Sequence, residues 1–158
     1  DETRPYMQGT RLTAFELTKE KIPFKIVVEG AASYLMKNKK VDAIFVGADR
    51  IVANGDTANK VGTSTLSIVA KHYGIPFFVV APISSFDTTL PDGTHIDIEM
   101  RPDEEITHFK GQQVAPYGAT TENPSFDVTD HEMITGIICE NGLIRPENKG
   151  HLLQVVKG

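Results

Sequence analysis

The stretch VDAIFVGADRIVANGDTANKVGTSTL, residues 41–66, decides the fold. It opens with a nearly continuous apolar run at residues 43–46, which predicts a strand covered on both faces of its sheet. Polar and glycine residues follow at once. A helix is then predicted over residues 57–73, where Asp56 or Thr57 can cap the N-terminus. This succession of buried strand, polar turn and helix is typical of an α/β unit.

The same alternation continues on both sides of this stretch. Short runs rich in β-branched or aromatic residues predict further strands at residues 24–28, 77–81, 96–100 and 143–144. Apolar residues at helical spacing predict further helices at residues 9–21, 31–39 and 131–138. Strands and helices that alternate at this spacing favour right-handed crossovers. We therefore expect an α/β fold with a parallel sheet flanked by helices.

Composition narrows the class of protein. The 158 residues suit one compact domain, and 40% hydrophobic with 23% charged residues is ordinary for a soluble globular protein. The net charge is −5 and no dense basic block is present, so we expect no nucleic-acid partner. No apolar run approaches the roughly 20 residues that cross a bilayer, so we expect no membrane span. The single cysteine, Cys139, fits a reducing cytosol and is predicted to be an inert core thiol.

Polar residues at strand ends are the candidate site residues, because ligands of open parallel α/β sheets bind beyond the carboxyl ends of the strands. Asp49 follows the strand at residues 43–46. A partly desolvated carboxyl at this place has a raised pKa that suits proton transfer. Pairing with Arg50, or capping of the next turn, explains Asp49 equally well. Ser84 and Ser85 follow the strand at residues 77–81 and either donate hydroxyls to the same ligand or form a turn.

Asn59 and Lys60 fall in the first turn of the predicted helix at residues 57–73. Free N–H groups and the helix dipole favour an anion there, and Lys60 adds a positive charge. A phosphate or sugar-hydroxyl site fits this pattern, and so does a plain helix start with a solvated lysine. The glycine patterns of Walker and dinucleotide-binding loops are absent from the sequence. Asp127 and Asp130 are predicted to cap the helix at residues 131–138, and the scattered histidines predict no zinc site.

Three segments resemble the methylthioribose-1-phosphate isomerase family: DETRPYMQGTRLT at residues 1–13, GADRI with NGDTANKVGT at 47–63, and NP, FDVT and ICENG within 123–142. The resemblance implies a Rossmann-like catalytic domain at residues 1–147, followed by a C-terminal tail at 148–158. It further implies that this is the C-terminal domain of a larger two-domain protein. In keeping with this, the first residues read like the exit of a strand whose body is missing, and we expect the N-terminal domain to be absent from this chain.

The resemblance also implies a function. The family converts 5-methylthioribose 1-phosphate to 5-methylthioribulose 1-phosphate in methionine salvage, in the cytoplasm, as a homodimer, and without a metal or organic cofactor. By position, Asp49 is the proton donor, while Gln8, Asn59 and Lys60 bind the sugar-phosphate substrate. Hydrogen then moves from C2 to C1 as a proton or as a hydride.

One departure from the family pattern bears on activity. The family's catalytic cysteine and an arginine-rich substrate segment lie in the upstream domain, and Cys139 is at the wrong place to replace that cysteine. We therefore expect the isolated chain to be inactive or nearly so.

Two alternatives share the fold that the resemblance implies. Regulatory subunits of translation initiation factor 2B use it for assembly, and ribose-1,5-bisphosphate isomerases act on a related sugar phosphate. The segment DTANK, residues 56–60, favours the methylthioribose-phosphate branch over both.

Overall fold

The structure, a computed structural model, describes residues 1–146 and 149–157. Its strands are β1 (Ile44–Val46), β2 (Arg50–Val52), β3 (Thr57–Lys60), β4 (Phe77–Val80), β5 (Phe86–Asp87), β6 (His108–Phe109), β7 (Gln112–Gln113), β8 (Phe126–Thr129), β9 (Gly136–Cys139) and β10 (Gly142–Ile144). Its α-helices are α1 (Ala14–Lys19), α2 (Ala32–Lys37), α3 (Thr63–Tyr73), α4 (Glu104–Thr107) and α5 (Lys149–Lys157). A π-helical turn at Gly9–Thr13 precedes α1, and short 3₁₀ turns cover Glu29–Ala31, Ile83–Ser85, Gly93–His95 and His131–Met133.

The main sheet has the order β1-β4-β9-β10. β1, β4 and β9 are parallel, and β10 closes the edge in antiparallel pairing with β9. Its core residues alternate along the strands, with Phe77, Val79 and Ile137 almost fully buried. Helix α3 connects β3 of the second sheet to β4 of the main sheet, and it packs against α2. The predicted α/β fold with a parallel sheet flanked by helices is confirmed.

A second sheet of order β5-β2-β3-β8 holds residues that the sequence predicted differently. β3 pairs antiparallel with both β2 and β8, so the segment Thr57–Lys60 is a strand and not the first turn of a helix. The cause is the preceding turn, where Gly55 has φ +93° and reverses the chain between β2 and β3. Helix α3 therefore begins only at Thr63, after Gly62 with φ +103°.

Three other predictions were wrong. Residues 131–138 form one 3₁₀ turn followed by β9, because the run at 136–139 pairs with β4 instead of packing as a helix. Within the described residues, the segments 24–28 and 96–100 belong to no strand. The first accepts backbone bonds from Glu2 N–H at the Val27 carbonyl and from Ala31 N–H at the Val28 carbonyl (2.9 Å each), and the second makes an isolated bridge at Met100.

The remaining predicted elements are confirmed with shifted ends. The helices at residues 9–21 and 31–39 appear as the π turn with α1 and as α2, and the strands at 77–81 and 143–144 appear as β4 and β10. The predicted tail contains α5, whose Leu152 is fully buried. The predicted boundary between residues 147 and 148 lies outside the described residues. Among the helices of the described part, none is long and apolar enough to cross a membrane.

Candidate active site

A cavity of about 460 Å³ runs along β1, from Val41 before the strand to Gly47 just past its carboxyl end. Its wall contains Gly47, Asn59 and Lys60 of the opening stretch, together with Gly9 and Glu29 from the N-terminal part of the chain. The volume is in the range of small-molecule sites. Its position agrees with the rule that ligands bind beyond the carboxyl ends of parallel strands.

Asp49 lies just past β1, two residues after Gly47 of the cavity wall, and is not itself part of that wall. Its backbone N–H donates to the Ala58 carbonyl at 2.9 Å, which continues the antiparallel pairing of β2 with β3. As a residue Asp49 is exposed, yet partial burial of the carboxyl raises its pKa, and the positive charge of Lys60 lowers it by less. Arg50 forms an ion pair with Asp87 instead (3.4 Å between Nη1 and Oδ2). The geometry thus favours an acid available for proton transfer over a pair with Arg50.

Asn59 and Lys60 lie side by side on β3, and both line the cavity. The Lys60 ammonium lies 4.8 Å from the centre of the Phe126 ring, a cation–π contact that restrains the side chain. The Asn59 Nδ2 donates to Thr63 Oγ1 at 3.0 Å. The structure therefore brings this predicted pair together at the cavity, although from a strand and not from a helix start.

The N-terminus of α3 is already occupied by the protein's own carboxylate. Asp127 on β8 accepts from the Gly62 N–H at 2.7 Å and from the Ser64 N–H at 3.0 Å. Burial raises the pKa of Asp127 by more than these backbone hydrogen bonds lower it. The anion site predicted at a helix start near Asn59 and Lys60 lacks its helix, because α3 begins only at Thr63. The prediction that Asp127 caps a helix at 131–138 is wrong, since Asp127 caps α3. Asp130 makes no capping bond through its side chain.

Gln8 lies next to Gly9 of the cavity wall and is half-buried. Its Oε1 is buried and, among the described atoms, has no hydrogen-bond partner. Of the four predicted site residues, Asn59 and Lys60 form part of the wall, whereas Asp49 and Gln8 are not in the wall and lie close in the chain to Gly47 and Gly9, which are.

Glu29 is a further cavity residue, for which sequence analysis predicted no specific role. Its Oε2 accepts from the Arg4 N–H at 2.5 Å, which ties the segment that carries Gln8 to the far side of the cavity. Its Oε1 lies against the backbone of Gly62, where an added Cβ would be only 2.5 Å away. The signal in the sequence was its position before a turn, at residues 29–31.

The remaining candidates lie apart from the cavity. Ser85 Oγ donates to the Ala48 carbonyl at 3.3 Å, which supports the turn interpretation, and Ser84 is exposed. Cys139 is half-buried at the end of β9, with its Sγ 3.7 Å from the Gly142 carbonyl. In the part of the chain that the structure describes, no group of three His, Cys, Asp or Glu residues could hold a metal ion.

Comparison with known proteins identifies the family of this chain. A family model described as the Initiation factor 2 subunit family matches residues 1–146. The chain belongs to the initiation factor 2 subunit family. Within it, the chain is 52% identical over 155 residues to a methylthioribose-1-phosphate isomerase of Thermoanaerobacter sp. (strain X514), covering 98% of this chain and 45% of the relative. A methylthioribose-1-phosphate isomerase of Leptospira interrogans is 49% identical over 167 residues, with 98% and 46% covered.

Solved structures of the initiation factor 2 subunit family have the same fold. The 5-methylthioribose 1-phosphate isomerase of Pyrococcus horikoshii superposes with a TM-score of 0.95 at 47% identity, over 99% of this chain and 44% of that one. The translation initiation factor eIF-2B delta subunit of A. fulgidus gives a TM-score of 0.94 at 40% identity, over 99% and 46%. The chain thus spans about half the length of the curated relatives it matches, since it covers about 45% of each of them. The family resemblance predicted from the sequence is confirmed, while the fold alone does not separate its two branches.

Proposed function

We propose that the protein containing this chain is an aldose–ketose isomerase that converts 5-methylthioribose 1-phosphate to 5-methylthioribulose 1-phosphate in methionine salvage. The observation that carries the proposal is Asp49: its carboxyl has a raised pKa and interacts with the charge of Lys60, which lines the cavity together with Asn59. Relatives about 50% identical over nearly the whole chain are named for this activity, which supports the choice of substrate.

The chemistry suits these residues. The anomeric oxygen of the substrate is phosphorylated, so the ring does not open spontaneously, and an acid must help to break the ring C–O bond. We propose that Asp49 donates this proton, since a raised pKa keeps the carboxyl protonated at higher pH than an exposed aspartate. Lys60 then holds an anionic oxygen of the substrate, and Asn59 and Gln8 orient its polar groups.

The rest of the assembly is also proposed. The chain spans under half of its relatives, and we propose that the remaining part of the protein supplies a catalytic cysteine and an arginine-rich substrate segment. The complete protein would act as a cytoplasmic homodimer without a metal or organic cofactor. The isolated chain is then expected to show little or no turnover.

Replacement of Asp49 tests the proposal in the complete protein. Asp49→Asn keeps the shape but cannot donate a proton, so kcat should fall by about 10²-fold or more. Asp42→Asn is the matched control, because Asp42 is an exposed carboxylate just before β1 that does not line the cavity. If wild-type protein isomerises the substrate and Asp49→Asn does so at an undiminished rate, the assignment of the acid is wrong.

The pH profile gives the same test a second readout. The protonated form of Asp49 is the active one, so the rate should fall as pH rises through its pKa, which lies above the ordinary 3.8. Further burial of the carboxyl by bound substrate would shift this limb to still higher pH. Asp49→Asn should lack the limb, whereas Asp42→Asn should retain it.

A regulatory role is the second candidate. The eIF-2B delta subunit of A. fulgidus superposes as well as the Pyrococcus isomerase does, with a TM-score of 0.94, which is the observation in its favour. Failure of the complete wild-type protein to turn over the substrate would support this candidate. If ribose 1,5-bisphosphate proves the better substrate by kcat/KM, the related isomerase is the right assignment, because a pocket built for a methylthio group should reject a second phosphate.

A further inference from the structure

The orientation of the Asn59 amide is fixed by a chain of two hydrogen bonds. Thr63 Oγ1 lies 2.7 Å from the Lys60 carbonyl oxygen and 3.0 Å from the Asn59 amide group. A carbonyl oxygen only accepts, so the single hydroxyl proton of Thr63 must point at Lys60. The hydroxyl then has only lone pairs left for Asn59, and the Asn59 atom that faces it must be the donor, Nδ2.

This chain of bonds leaves the Asn59 carbonyl oxygen on the opposite side of the amide. That oxygen faces Gly47, where a Cβ built on the glycine would lie 3.8 Å from Asn59 Oδ1. Both residues line the 460 Å³ cavity. Gly47 places no side-chain atom against this oxygen, which lies between two residues of the cavity wall.

An amide oxygen that faces a cavity selects the chemistry of its partner. It accepts a hydrogen bond from a hydroxyl, and it repels a phosphate oxygen, which is itself an acceptor. The neighbouring Lys60 has the opposite preference, since its ammonium only donates. The two adjacent residues of β3 therefore suit a ligand that carries a hydroxyl close to an anionic or acceptor oxygen.

We propose that Asn59 binds a sugar hydroxyl through its carbonyl oxygen and that Thr63 is the positioning residue that imposes this orientation. This rests on the proposed function and specifies the substrate contact within it. Thr63 suits the role because it is only 7% exposed and begins α3, whose N-terminus Asp127 holds in place. Its hydroxyl is thus held in place, and it fixes the orientation of the half-buried Asn59 amide, which would otherwise be free to rotate.

Two variants of the complete protein distinguish the effect of the Thr63 hydroxyl from the effect of the side-chain volume. Thr63→Val keeps the volume but removes the acceptor, and we expect KM for methylthioribose 1-phosphate to rise about fivefold to tenfold, the loss of one hydrogen bond, with a smaller change in kcat. Thr63→Ser keeps the hydroxyl and should restore KM to near the wild-type value. Thr65→Val is the matched control, because Thr65 is an exposed threonine of the same helix outside the cavity wall.

A double-mutant cycle tests whether Thr63 acts through Asn59. If it does, Asn59→Ala alone and Asn59→Ala combined with Thr63→Val should raise KM equally, because the second change has nothing left to position. Additive effects of the two changes would contradict the proposal, and so would an unchanged KM in Thr63→Val. Thermal unfolding of each variant shows whether a rise in KM comes from a destabilised fold instead of a lost contact with the substrate.

Deoxy analogues test the hydroxyl without changing Thr63. The 2-deoxy and 3-deoxy sugar phosphates are measured as competitive inhibitors of the wild type and of Asn59→Ala. One analogue should bind the wild type about fivefold or more weakly than its hydroxylated counterpart, and this discrimination should vanish in Asn59→Ala. Equal discrimination by both proteins would overturn the hydroxyl assignment. A wild-type protein that neither binds nor converts any of these sugars would instead refute the proposed function itself.

Discussion

The carboxylate of Asp56 joins three separate parts of the chain. It is 8% exposed and accepts from Asn54 Nδ2 (2.8 Å), the Gly93 N–H (3.0 Å), the His131 N–H (2.9 Å) and His131 Nδ1 (2.8 Å). Burial raises the pKa of Asp56, but these hydrogen bonds together outweigh it and the net pKa is lowered. Asp56 therefore stabilises the fold in its ionised form, as a structural residue and not as a helix cap.

Replacement of Asp56 should destabilise the protein. Asp56→Asn keeps the shape but loses the charge and leaves donors unsatisfied, so the free energy of unfolding should fall by about 2–3 kcal/mol at neutral pH. Because the folded pKa lies below the ordinary 3.8, the contribution of Asp56 is present above 3.8 and is lost as pH falls through the folded value. Urea unfolding from about pH 3 to 7 should therefore show a weaker acid dependence in the variant. The exposed Asp97→Asn is the control, and an equal loss of stability there would refute the assignment.

Gly62 is required for two independent reasons. Its φ of +103° disfavours any side chain, and a Cβ would lie 2.5 Å from Glu29 Oε1. Gly62→Ala should therefore destabilise the fold by about 1–3 kcal/mol. Gly74→Ala, at φ +68° with open space around it, gives the cost of a side chain in the ordinary left-handed region. Thermal unfolding should show the larger loss for Gly62→Ala, and equal losses would mean that neither its larger φ nor the Glu29 contact adds to the cost.

Single site residues can be predicted from the sequence where the pattern that marks them is local. Asp49 was predicted as a site residue because the end of a buried strand is a local pattern. Asn59 and Lys60 were predicted from a helix start, and they line the cavity from strand β3 instead. Asp127 and Glu29 received no such role, because their partners are 65 and 25 residues away in the chain. A side chain that works through a distant partner leaves no periodic signal in its own segment.

At the scale of elements, the segment 57–60 shows how tertiary pairing overrides a local pattern. Asp56 and Thr57 look like a helix start, and the helix does follow, but only from Thr63. The Asn54-Gly55 pair was the stronger signal, since this dipeptide is typical of hairpin turns. The parallel core strands β1 and β4 were predictable because both are nearly continuous apolar runs. The antiparallel β3–β8 pair was not, because its register depends on residues 126–129.

The cap of α3 is a property of two elements together. Removal of the Asp127 carboxylate, as in Asp127→Ala, should cost about 1–2 kcal/mol, because two amides of the helix lose their acceptor. Asp130→Ala is the control, since Asp130 is exposed and makes no capping bond through its side chain. Circular dichroism during urea unfolding measures both variants. An equal effect at the two positions would show that the cap contributes no stability.

At the scale of the whole molecule, large apolar side chains remain exposed in the described part of the chain. Phe45 on the edge strand β1 is 61% exposed although its ring stacks on Phe78 at 5.4 Å, and Leu12 and Phe15 are each 57% exposed. Exposed apolar surface of this kind favours contact with further protein. It is compatible with the proposed homodimer and with the proposed N-terminal part.

We expect the complete protein to sediment as a dimer. Analytical ultracentrifugation over a range of concentrations should give twice the mass of one polypeptide. A purely monomeric species at micromolar concentration would refute the proposed dimer. The same measurement on residues 1–158 shows whether this domain alone carries the contact.

The long-range cap of α3 also has a consequence for the order of folding. Gly62 and Ser64 meet Asp127 only after a loop of more than 60 residues has closed, and closure of long loops is slow. Helix α3 must therefore form its first turn uncapped and gain its stabilising carboxylate when β8 joins β3. We expect mutations at Asp127 to speed unfolding more than they slow folding, the pattern of a contact made after the rate-limiting barrier. The start of the helix beside the cavity would then be among the last parts of the domain to become rigid.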